Sequence, residues 1–297
     1  MVKYRFFQVS HFAWRQSKIY TKEESRGYFR RIYLYYDMML CYFKYRMWTN
    51  QYAKENFHKL SASERELLGK EYLEKGKIRD SWQADFRKNR KFLIKYTNIK
   101  YEKPYLRKKR NKAYTNHYNT GKNLFVEYDV NLSRQHYLPG TITIGDNVLL
   151  AKHVFIDYSG EVIIHDNVKI TDGVSIESHS HPGFTSTKTG YCKSEKLEIF
   201  ENVSIGSKSF ITESCHSIGR HAKIGAGSVV RRNIPPYAIV IGNPAKIIGF
   251  VFTPEQMVDF EEKNYPKEKR TSLEKYTNLY NKYYKDRIKE INNYLKL

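Results

Sequence analysis

The chain has 297 residues, which is long for one domain and sufficient for two. It carries 52 Lys and Arg residues against 31 Asp and Glu residues, and the excess is concentrated in residues 1–121, which hold 29 basic and 11 acidic side chains. No uncharged apolar run approaches the about 20 residues that a membrane-spanning helix needs, so we expect any membrane contact to be peripheral.

The cysteines Cys41, Cys192 and Cys215 lie far apart and lack the spacing of metal ligands. The N-terminus shows none of the charged, apolar and cleavage regions of a secretory signal peptide. Because structural disulfides belong to oxidising compartments, this cysteine usage indicates a reducing one. We therefore expect a cytoplasmic protein, and the inner face of the membrane is the surface on which any membrane contact would occur.

Residues 1–121 are predicted to form a basic, mainly helical N-terminal domain. A capping box at Thr21 and Glu24 precedes a helix with one apolar face, whose members recur at intervals of three and four: Tyr28, Ile32, Tyr35, Met39 and Tyr42. We expect this face to pack in the domain's own core, with a membrane surface as the alternative.

Two further helices are predicted before residue 121. The first begins at the Ser61 or Ser63 cap and ends before Gly76, and the second begins near Ser81. The second carries a run of cations with few balancing acids: Arg87, Lys88, Arg90, Lys91 and Lys95. Such a run is typical of a solvated face or of a surface for an anion, and we favour the anion. Nucleic acid is the less favoured anion, because no nucleic-acid-binding motif accompanies the charge.

Residues 122–250 carry a hexapeptide repeat. An aliphatic residue opens each group of six, and small or polar residues follow it, at Val126, Leu132, Ile144, Leu150, Ile156, Ile164, Ile170, Ile176, Ile199, Ile205, Ile211, Ile218 and Ile224. Neither a helix nor an ordinary strand has a period of six, whereas short strands that turn a corner every six residues do. The aliphatic residues of successive turns then stack into one core, so we predict a coil of parallel strands.

The predicted coil is interrupted once, between His179 and Leu197, by a polar segment that has no repeat phase. Loops that leave a rigid scaffold often carry function. At the other end, Pro235 and Pro236 stop the coiling, because proline removes a backbone donor and fixes φ.

Residues 251–297 are predicted to form a C-terminal helical extension. A short helix is capped at Thr253 and a longer one at Thr271. The longer helix has an apolar stripe that must be buried on the coil, on the N-terminal helices or on another subunit. The predicted fold class is therefore α+β, with a repeat coil between two helical segments.

The segment Gly225-Ala-Gly-Ser228 indicates an anion or nucleotide site that has no phosphate-binding loop. Small residues let a ligand lie along the backbone, and three cations follow that can meet its phosphates: Arg231, Arg232 and Lys246.

The same region carries a family resemblance. The sequence Ile-Gly-Ala-Gly-Ser-Val-Val, followed by Ile-Pro-Pro-Tyr and Gly-Asn-Pro-Ala-Lys, resembles the end of the hexapeptide-repeat acyltransferases. It is most similar to the galactoside, maltose and Nod-factor O-acetyltransferase branch and to bacterial surface-polysaccharide O-acetyltransferases. The resemblance covers about residues 122–250, and it extends neither to the N-terminal domain nor to the last helix.

The resemblance implies a left-handed parallel β-helix, an active homotrimer and acetyl-CoA as the acetyl donor, bound between neighbouring coils. It further implies the residues that meet acetyl-CoA: Ser207, Ala226 through its amide, Ser228, Arg231, Arg232 and Lys246. Arg231 stands where a threonine is usual in the family, and Ala151 stands where the family has an acceptor-binding asparagine.

A loop histidine is the family's general base, in the pattern Thr-x-x-His-Pro, and His181 occupies that place here. A sugar hydroxyl is a poor nucleophile near neutral pH, so a base must take its proton as it attacks the thioester. We predict His181 as this base in preference to His179, and Glu177 or Asp157 as the acid that orients it.

The sequence thus predicts an O-acetyltransferase that modifies a sugar hydroxyl of a bacterial capsule, exopolysaccharide or lipopolysaccharide unit. Its saccharide acceptor is expected to be anionic or lipid-linked, and no metal is expected. One alternative is a γ-class carbonic anhydrase-like zinc enzyme with His216 and His221 as ligands, which is less favoured because no third histidine is suitably placed. The other is a non-catalytic β-helix scaffold that docks an anionic polymer, which the loop histidine disfavours.

Overall fold

The computed structural model describes residues 10–11, 13–18, 28–45, 57–135, 138–181 and 193–296, without the side chains of residues 42, 45, 57 and 71–80. The predicted capping box at Thr21, the cysteine Cys192 and most of the predicted loop lie outside the described residues. The chain divides into two compact units, residues 1–81 and 82–297.

The first unit contains helix α1 (Tyr28–Tyr45), a 3₁₀ turn (Phe57–Lys59) and the beginning of helix α2 (Ala62–Tyr96). Helix α1 buries Leu34 and Met38, and its Asp37 pairs with Arg65 of α2. The apolar face predicted for α1 is only partly buried, since Met39 is inside and Tyr28 is 63 % exposed.

Helix α2 runs without a break over 35 residues, so the prediction that one helix ends before Gly76 and another begins near Ser81 is wrong. Glycine costs a helix about 1 kcal/mol relative to alanine, but it keeps its backbone donor and does not by itself end the helix. The predicted start is confirmed: the Ser61 hydroxyl accepts from the Glu64 amide at 3.3 Å, and the Glu64 carboxylate accepts from the Ser61 amide at 2.7 Å.

In the second unit, a 3₁₀ turn (Ile99–Glu102) leads into helix α3 (Pro104–His117), which packs on the coil. The fully buried Tyr114 donates its hydroxyl to the Val130 carbonyl at 2.6 Å, and Phe92 of α2 packs against the same core. The end of α2 and all of α3 therefore cover one part of the coil.

The coil consists of three stacked, mainly parallel sheets and one short hairpin. The first sheet contains β1 (Asn119–Thr120), β4 (Thr141–Ile144), β7 (Glu161–Ile164), β12 (Leu197–Ile199) and β15 (Ser217–Ile218). The second contains β2 (Phe125–Val126), β5 (Leu149–Leu150), β8 (Lys169–Ile170), β13 (Ser204–Ile205), β16 (Lys223–Ile224), β18 (Ala238–Ile241) and the antiparallel β19 (Lys246–Phe250). The third contains β3 (Asn131–Ser133), β6 (Phe155–Asp157), β9 (Ser175–Ile176), β14 (Phe210–Ile211) and β17 (Val229–Val230), and the hairpin pairs β10 (His179–Ser180) with β11 (Lys193–Ser194).

The aliphatic positions of the repeat fill the coil interior, as predicted, because each stacks on the equivalent position of the next turn. At one corner the successive turns place asparagines at positive φ, a conformation that asparagine tolerates well. The Asn123 amide donates to Asn147 at 3.0 Å, and the Asn147 amide donates to Asn167 at 3.2 Å. The predicted left-handed parallel β-helix with flanking helices is confirmed.

The C-terminal extension contains helix α4 (Pro254–Asn264), helix α5 (Leu273–Tyr283), a 3₁₀ turn (Lys285–Arg287) and helix α6 (Ile288–Leu295). The predicted cap at Thr253 is confirmed, whereas the cap of α5 is Ser272 and not Thr271. The single long helix predicted here is divided, because Tyr284 has φ −130° and ψ −66°, outside the helical region. Among the helices of the described residues, none is both long enough and apolar enough to cross a membrane.

Candidate active site

A buried carboxylate lies where the coil gives way to the loop. Asp157 ends strand β6, and its side chain is fully buried. Its Oδ1 accepts from the Ser159 hydroxyl at 2.6 Å, the Ser159 amide at 3.0 Å and the Gln135 amide at 3.3 Å. Its Oδ2 accepts from the Ser178 amide at 3.3 Å and from its hydroxyl at 3.4 Å. Asp157 is therefore held rigidly, with oxygens that face several donors.

The half-buried His179 is the side chain that this carboxylate orients. Its Nδ1 donates to Asp157 Oδ2 at 2.5 Å. An ionised carboxylate can only accept, so Nδ1 carries the proton and Nε2 is the basic nitrogen of the neutral imidazole. His179 opens strand β10 at the start of the loop, and its side chain is 10% exposed, whereas that of Asp157 is fully buried.

Two further predicted residues lie beside this pair. The Glu177 carboxylate lies 4.0 Å from His179 Nδ1, and the exposed His181 ring lies edge-on to the His179 ring with centroids 5.2 Å apart. The structure thus brings all four predicted catalytic residues together. It pairs the buried acid with His179, whereas the sequence favoured His181.

The pKa values of Asp157 and Glu177 shift in opposite directions. Burial alone would raise the pKa of Asp157, but hydrogen bonds from Ser159, His179 and Ser178 outweigh it and hold this pKa below its ordinary value. Burial raises the pKa of Glu177, and the charge of Asp157 raises it further. Such separation is typical of sites in which two acids have different tasks. Asp157 is the group suited to stay ionised and to stabilise an imidazolium.

The residues predicted to meet acetyl-CoA lie on successive turns of the coil. Ser207 is half-buried and donates its hydroxyl to Thr171 Oγ1 at 3.1 Å. Ala226 is exposed on the next turn, where the adjacent Gly227 amide donates to the Ser207 carbonyl at 2.8 Å. Arg231 and Arg232 are both exposed.

Ser228 has a different role from the one predicted. Its side chain is fully buried and donates to the Gly225 carbonyl at 2.6 Å, and it accepts from the Gly242 amide at 3.2 Å. The Ser228 hydroxyl thus donates and accepts hydrogen bonds within this corner of the coil. We therefore assign Ser228 to the scaffold and not to ligand contact.

Lys246 begins strand β19 and is exposed, but the last helix already engages it. Its ammonium lies 3.7 Å from Glu290 Oε1 and 4.8 Å from the centre of the Tyr294 ring. An anionic ligand at Lys246 therefore competes with the carboxylate of α6.

The histidines of the zinc alternative are engaged in other contacts. His221 Nε2 lies 2.8 Å from the Tyr265 hydroxyl, and its ring stacks on Tyr237 with centroids 5.0 Å apart. His216 lies 3.5 Å from Glu195. Neither takes part in a cluster of three metal-ligand side chains among the described residues.

The one such cluster in the described part of the chain is Asp157, Glu177 and His179, whose ligand atoms lie within 4.8 Å of one another. A zinc ligand approaches its ion to about 2.0–2.2 Å with a free lone pair. Within this cluster His179 Nδ1 and Asp157 Oδ2 lie 2.5 Å apart, which is the distance of a short hydrogen bond.

Sequence reasoning missed Ser159 and Ser178, the two residues that fix the Asp157 carboxylate from opposite sides. A signal was present, because the strand register pairs Ile156 with Ile176 and thereby places the residues after β6 beside those after β9. The serines are small and polar like most turn residues of the repeat, so composition alone does not distinguish them.

Several known proteins are similar to this chain, although no protein-family model matches it. It is 38% identical over 95 residues to a serine acetyltransferase of Buchnera aphidicola subsp. Schizaphis graminum, covering 32% of this chain and 35% of that protein. It is 29% identical over 136 residues to the galactoside O-acetyltransferase of Escherichia coli strain K12, covering 46% of this chain and 55% of that protein. The chain thus spans between about a third and somewhat over half of the length of these curated relatives.

Solved structures resemble it as well. Two crystal structures of a hexapeptide-repeat-containing acetyltransferase from Vibrio cholerae, one of them complexed with acetyl coenzyme A, have TM-scores of 0.51 and 0.50. Each is 20% identical in sequence, and they cover 58% and 57% of this chain and 93% and 88% of theirs. At that identity the likeness concerns the fold alone.

Proposed function

We propose that this chain is a hexapeptide-repeat acyltransferase and that it transfers the acetyl group of acetyl-CoA to a hydroxyl of a sugar. The observation that carries this proposal is the pair of His179 and Asp157 at the start of the loop, with the basic nitrogen of His179 on the side away from the acid. The galactoside O-acetyltransferase among the relatives supports a saccharide acceptor.

The chemistry follows from that pair. His179 Nε2 takes the proton of the acceptor hydroxyl while the oxygen attacks the thioester carbonyl, and the buried carboxylate of Asp157 stabilises the imidazolium that forms. Collapse of the tetrahedral intermediate breaks the carbon–sulfur bond, and the imidazolium returns its proton to the departing sulfur. The products are the acetyl ester and free CoA, and His179 is again neutral.

The exposed backbone near Ala226 and the cations Arg232 and Lys246 are the proposed contacts of acetyl-CoA. Arg231 is also exposed and belongs to the same proposed contact set. The acetyl coenzyme A bound by the Vibrio cholerae acetyltransferase supports the choice of donor. In the proposed assembly three copies of the chain form a trimer in the cytoplasm, with acetyl-CoA between neighbouring coils.

Changing Lys246 to alanine is expected to raise the KM for acetyl-CoA by about three- to fivefold, the usual worth of an exposed ion pair, with little change in kcat. Phosphate contacts remote from the thioester bind the ground state and the transition state alike, so they affect KM and not kcat. Arg232→Ala should behave in the same way. Dephospho-CoA derivatives, assayed with each variant, identify the phosphate concerned.

The matched control is Lys263→Ala, which removes an exposed lysine of α4 that pairs with Asp259 outside the coil. An unchanged KM in both the Lys246 and the Arg232 variants would remove these residues from the cofactor site.

The proposed activity itself is tested by measuring release of the CoA thiol from acetyl-CoA. The purified protein is assayed with four forms of acceptor: a free saccharide, a nucleotide sugar, a lipid-linked unit and a finished polymer. We expect release to depend on one of these forms. Absence of CoA binding in calorimetry, together with bound zinc and carbon dioxide hydration, would instead favour the carbonic anhydrase alternative.

We also infer a peripheral membrane contact through helix α1. Beside its buried face, α1 has an exposed apolar stripe at intervals of three and four: Phe29, Tyr33, Tyr36, Leu40 and Phe43. Phe29 is 87% exposed, and the N-terminal 121 residues have the 29 basic against 11 acidic side chains that an anionic lipid surface attracts. An aromatic-rich apolar face flanked by cations is typical of helices that lie in the membrane interface.

Replacing Phe29 and Leu40 together with serine is expected to lower binding to phosphatidylglycerol-containing vesicles at least tenfold, because each buried apolar side chain contributes about 1.5–3 kcal/mol. Sedimentation of the protein with the vesicles measures this binding. The control is Leu67→Ser, which alters an exposed leucine of α2 in the same unit. If the double variant and the control bind equally well, α1 does not contact lipid through this stripe.

A further inference from the structure

A cavity of about 240 Å³ lies between the C-terminal part of α2, the end of α3 and the edge of the coil. Its aromatic walls are formed by Trp82, Phe86, Tyr118 and Tyr158, and its cations are Lys88 and Arg134. All of these residues belong to the second compact unit. Ligand sites are commonly concave and lined by aromatic side chains with a few polar groups, and this cavity has that character.

Hydrogen bonds make the cavity rigid. Trp82 stacks on Phe86 with ring centroids 5.0 Å apart and donates its Nε1 to the Arg134 carbonyl at 3.2 Å. The buried Asn89 donates to the Leu132 carbonyl at 2.8 Å and accepts from the Tyr118 hydroxyl at 2.7 Å. These bonds fasten both helices to the β3 segment of the coil, so the site is formed before any ligand arrives.

The charged groups of the cavity leave a net positive charge. Arg134 Nη2 lies 3.1 Å from the Asp85 carboxylate, which balances that guanidinium, while Lys88 is exposed. His117, whose Nε2 contacts Asn89, is half-buried, and burial together with the charge of Lys88 lowers its pKa. His117 is therefore neutral near pH 7, and Lys88 provides the excess charge.

The cavity and the His179–Asp157 pair share two short segments of the coil. Tyr158 follows Asp157 directly, and Arg134 precedes Gln135, whose amide donates to Asp157 at 3.3 Å. Strand β3 pairs with β6 in register, Ser133 opposite Asp157. A ligand that touches Tyr158 and Arg134 consequently contacts the chain neighbours of Asp157 and of Gln135, the residue that donates to it.

We propose that this cavity is the acceptor subsite and that it takes one sugar ring bearing an anionic group, either a carboxylate or a phosphate. The volume is below the about 300–1,000 Å³ of pockets for drug-sized ligands, which fits a single ring better than a whole nucleotide sugar. The aromatic walls suit the apolar C–H faces of the ring, and Lys88 and Arg134 suit its anion through charge-assisted hydrogen bonds. The role as acceptor subsite rests on the proposed acyl transfer, whereas binding of the sugar does not.

The cavity contains only part of the cationic surface of α2 that the sequence predicts to face an anion. Of the cations on the last part of α2, Lys88 lines the cavity, while Lys91 is exposed on the helix outside it. The two lysines therefore form a matched pair: one within the proposed subsite and one beside it.

Binding is measured by calorimetry and by saturation-transfer NMR on the full chain without acetyl-CoA. The probes are methyl glucuronide, glucose 1-phosphate and the neutral methyl glucoside. Lys88→Ala should weaken binding of a charged probe about fivefold, and Lys91→Ala should leave it unchanged. Asp85→Asn should tighten it by about two- to fivefold, because the competing carboxylate on Arg134 is lost. Neither Lys88→Ala nor Asp85→Asn should change the affinity for the neutral methyl glucoside.

The two anionic probes distinguish a carboxylate from a phosphate as the recognised group, and stronger binding of either than of the glucoside supports the proposal. Equal binding of all three probes, or equal effects of the Lys88 and Lys91 variants, overturns it. Binding of an anionic probe, with no acetyl transfer to any of the four acceptor forms, leaves the subsite standing and refutes the proposed activity. Acetyl transfer whose acceptor KM is insensitive to Lys88→Ala and Asp85→Asn leaves the activity standing and refutes the subsite.

Discussion

Replacing His179 with alanine is expected to lower turnover by about 100- to 10,000-fold, the usual contribution of a general base, while acetyl-CoA still binds. The imidazole is the group that the buried acid orients, and the alanine variant lacks this oriented base. The fold should persist, because Asp157 keeps its hydrogen bonds from Ser159, Ser178 and Gln135. Steady-state assays of kcat together with calorimetry of acetyl-CoA binding measure the two effects separately.

The matched control is His181→Ala, which removes an exposed histidine two positions further along the same loop. We expect a loss of less than about tenfold, because a residue outside the hydrogen-bonded pair affects the base only through its surroundings. Added imidazole should restore part of the activity of the His179 variant and none to the His181 variant. A larger loss in the His181 variant would restore the assignment made from the sequence.

The coil could be predicted because the spacing of the aliphatic residues in the sequence shows the period of the repeat. Outside the loop, aliphatic residues recur at intervals of six, apart from slips between Ile156 and Ile164 and between Ile211 and Ile218. Positions such as Ile156 and Ile176 are fully buried and paired in register. Each turn of the coil packs only against its neighbouring turns, so the fold can be inferred from the period without knowledge of any other contact.

The pairing of His179 with Asp157 was harder to predict for a physical reason. Asp157 and His179 are 22 residues apart, and they meet because one turn of the coil separates them. The family pattern selects His181 by its place before a proline, whereas hydrogen bonding across the turns selects the histidine that reaches the buried carboxylate. The register of the repeat predicts that the residues after β6 lie beside those after β9. It does not predict that Ser159 and Ser178 donate hydrogen bonds to the Asp157 carboxylate.

The predictions that proved wrong concern the helical segments, because these segments lack a repeat. Gly76 is a weak signal for a helix end when strong helix formers surround it, and α2 continues through it. The cavity beside the coil joins Trp82 and Lys88 of α2 to Arg134 and Tyr158 of the coil, and no local pattern in either segment predicts the other. Charge alone indicated an anionic ligand without indicating where it binds.

A single buried carboxylate organises the C-terminal extension. Glu261 of α4 is fully buried, and its Oε1 accepts from the Tyr276 hydroxyl at 2.5 Å and the Tyr237 hydroxyl at 3.2 Å. The same oxygen lies 3.3 Å from Arg220 Nη1, and Oε2 accepts from the Thr271 amide at 2.7 Å. One side chain thus joins α4, the approach to α5 and a corner of the coil.

Changing Glu261 to alanine is therefore expected to destabilise the fold by about 3–5 kcal/mol, the usual cost of breaking a buried ion pair on one side. The loss leaves two buried tyrosine hydroxyls and the Thr271 amide without their acceptor, and it leaves Arg220 with only the Glu201 carboxylate at 3.4 Å as an ion-pair partner among the described residues. Thermal and urea unfolding of the full chain measure the change. Glu262→Ala, which alters the exposed neighbour on the same helix, should stay within about 0.5 kcal/mol of the parent. Equal stability of the two variants would show that the apolar packing around Tyr237 and Met257, and not the carboxylate, holds the extension on the coil.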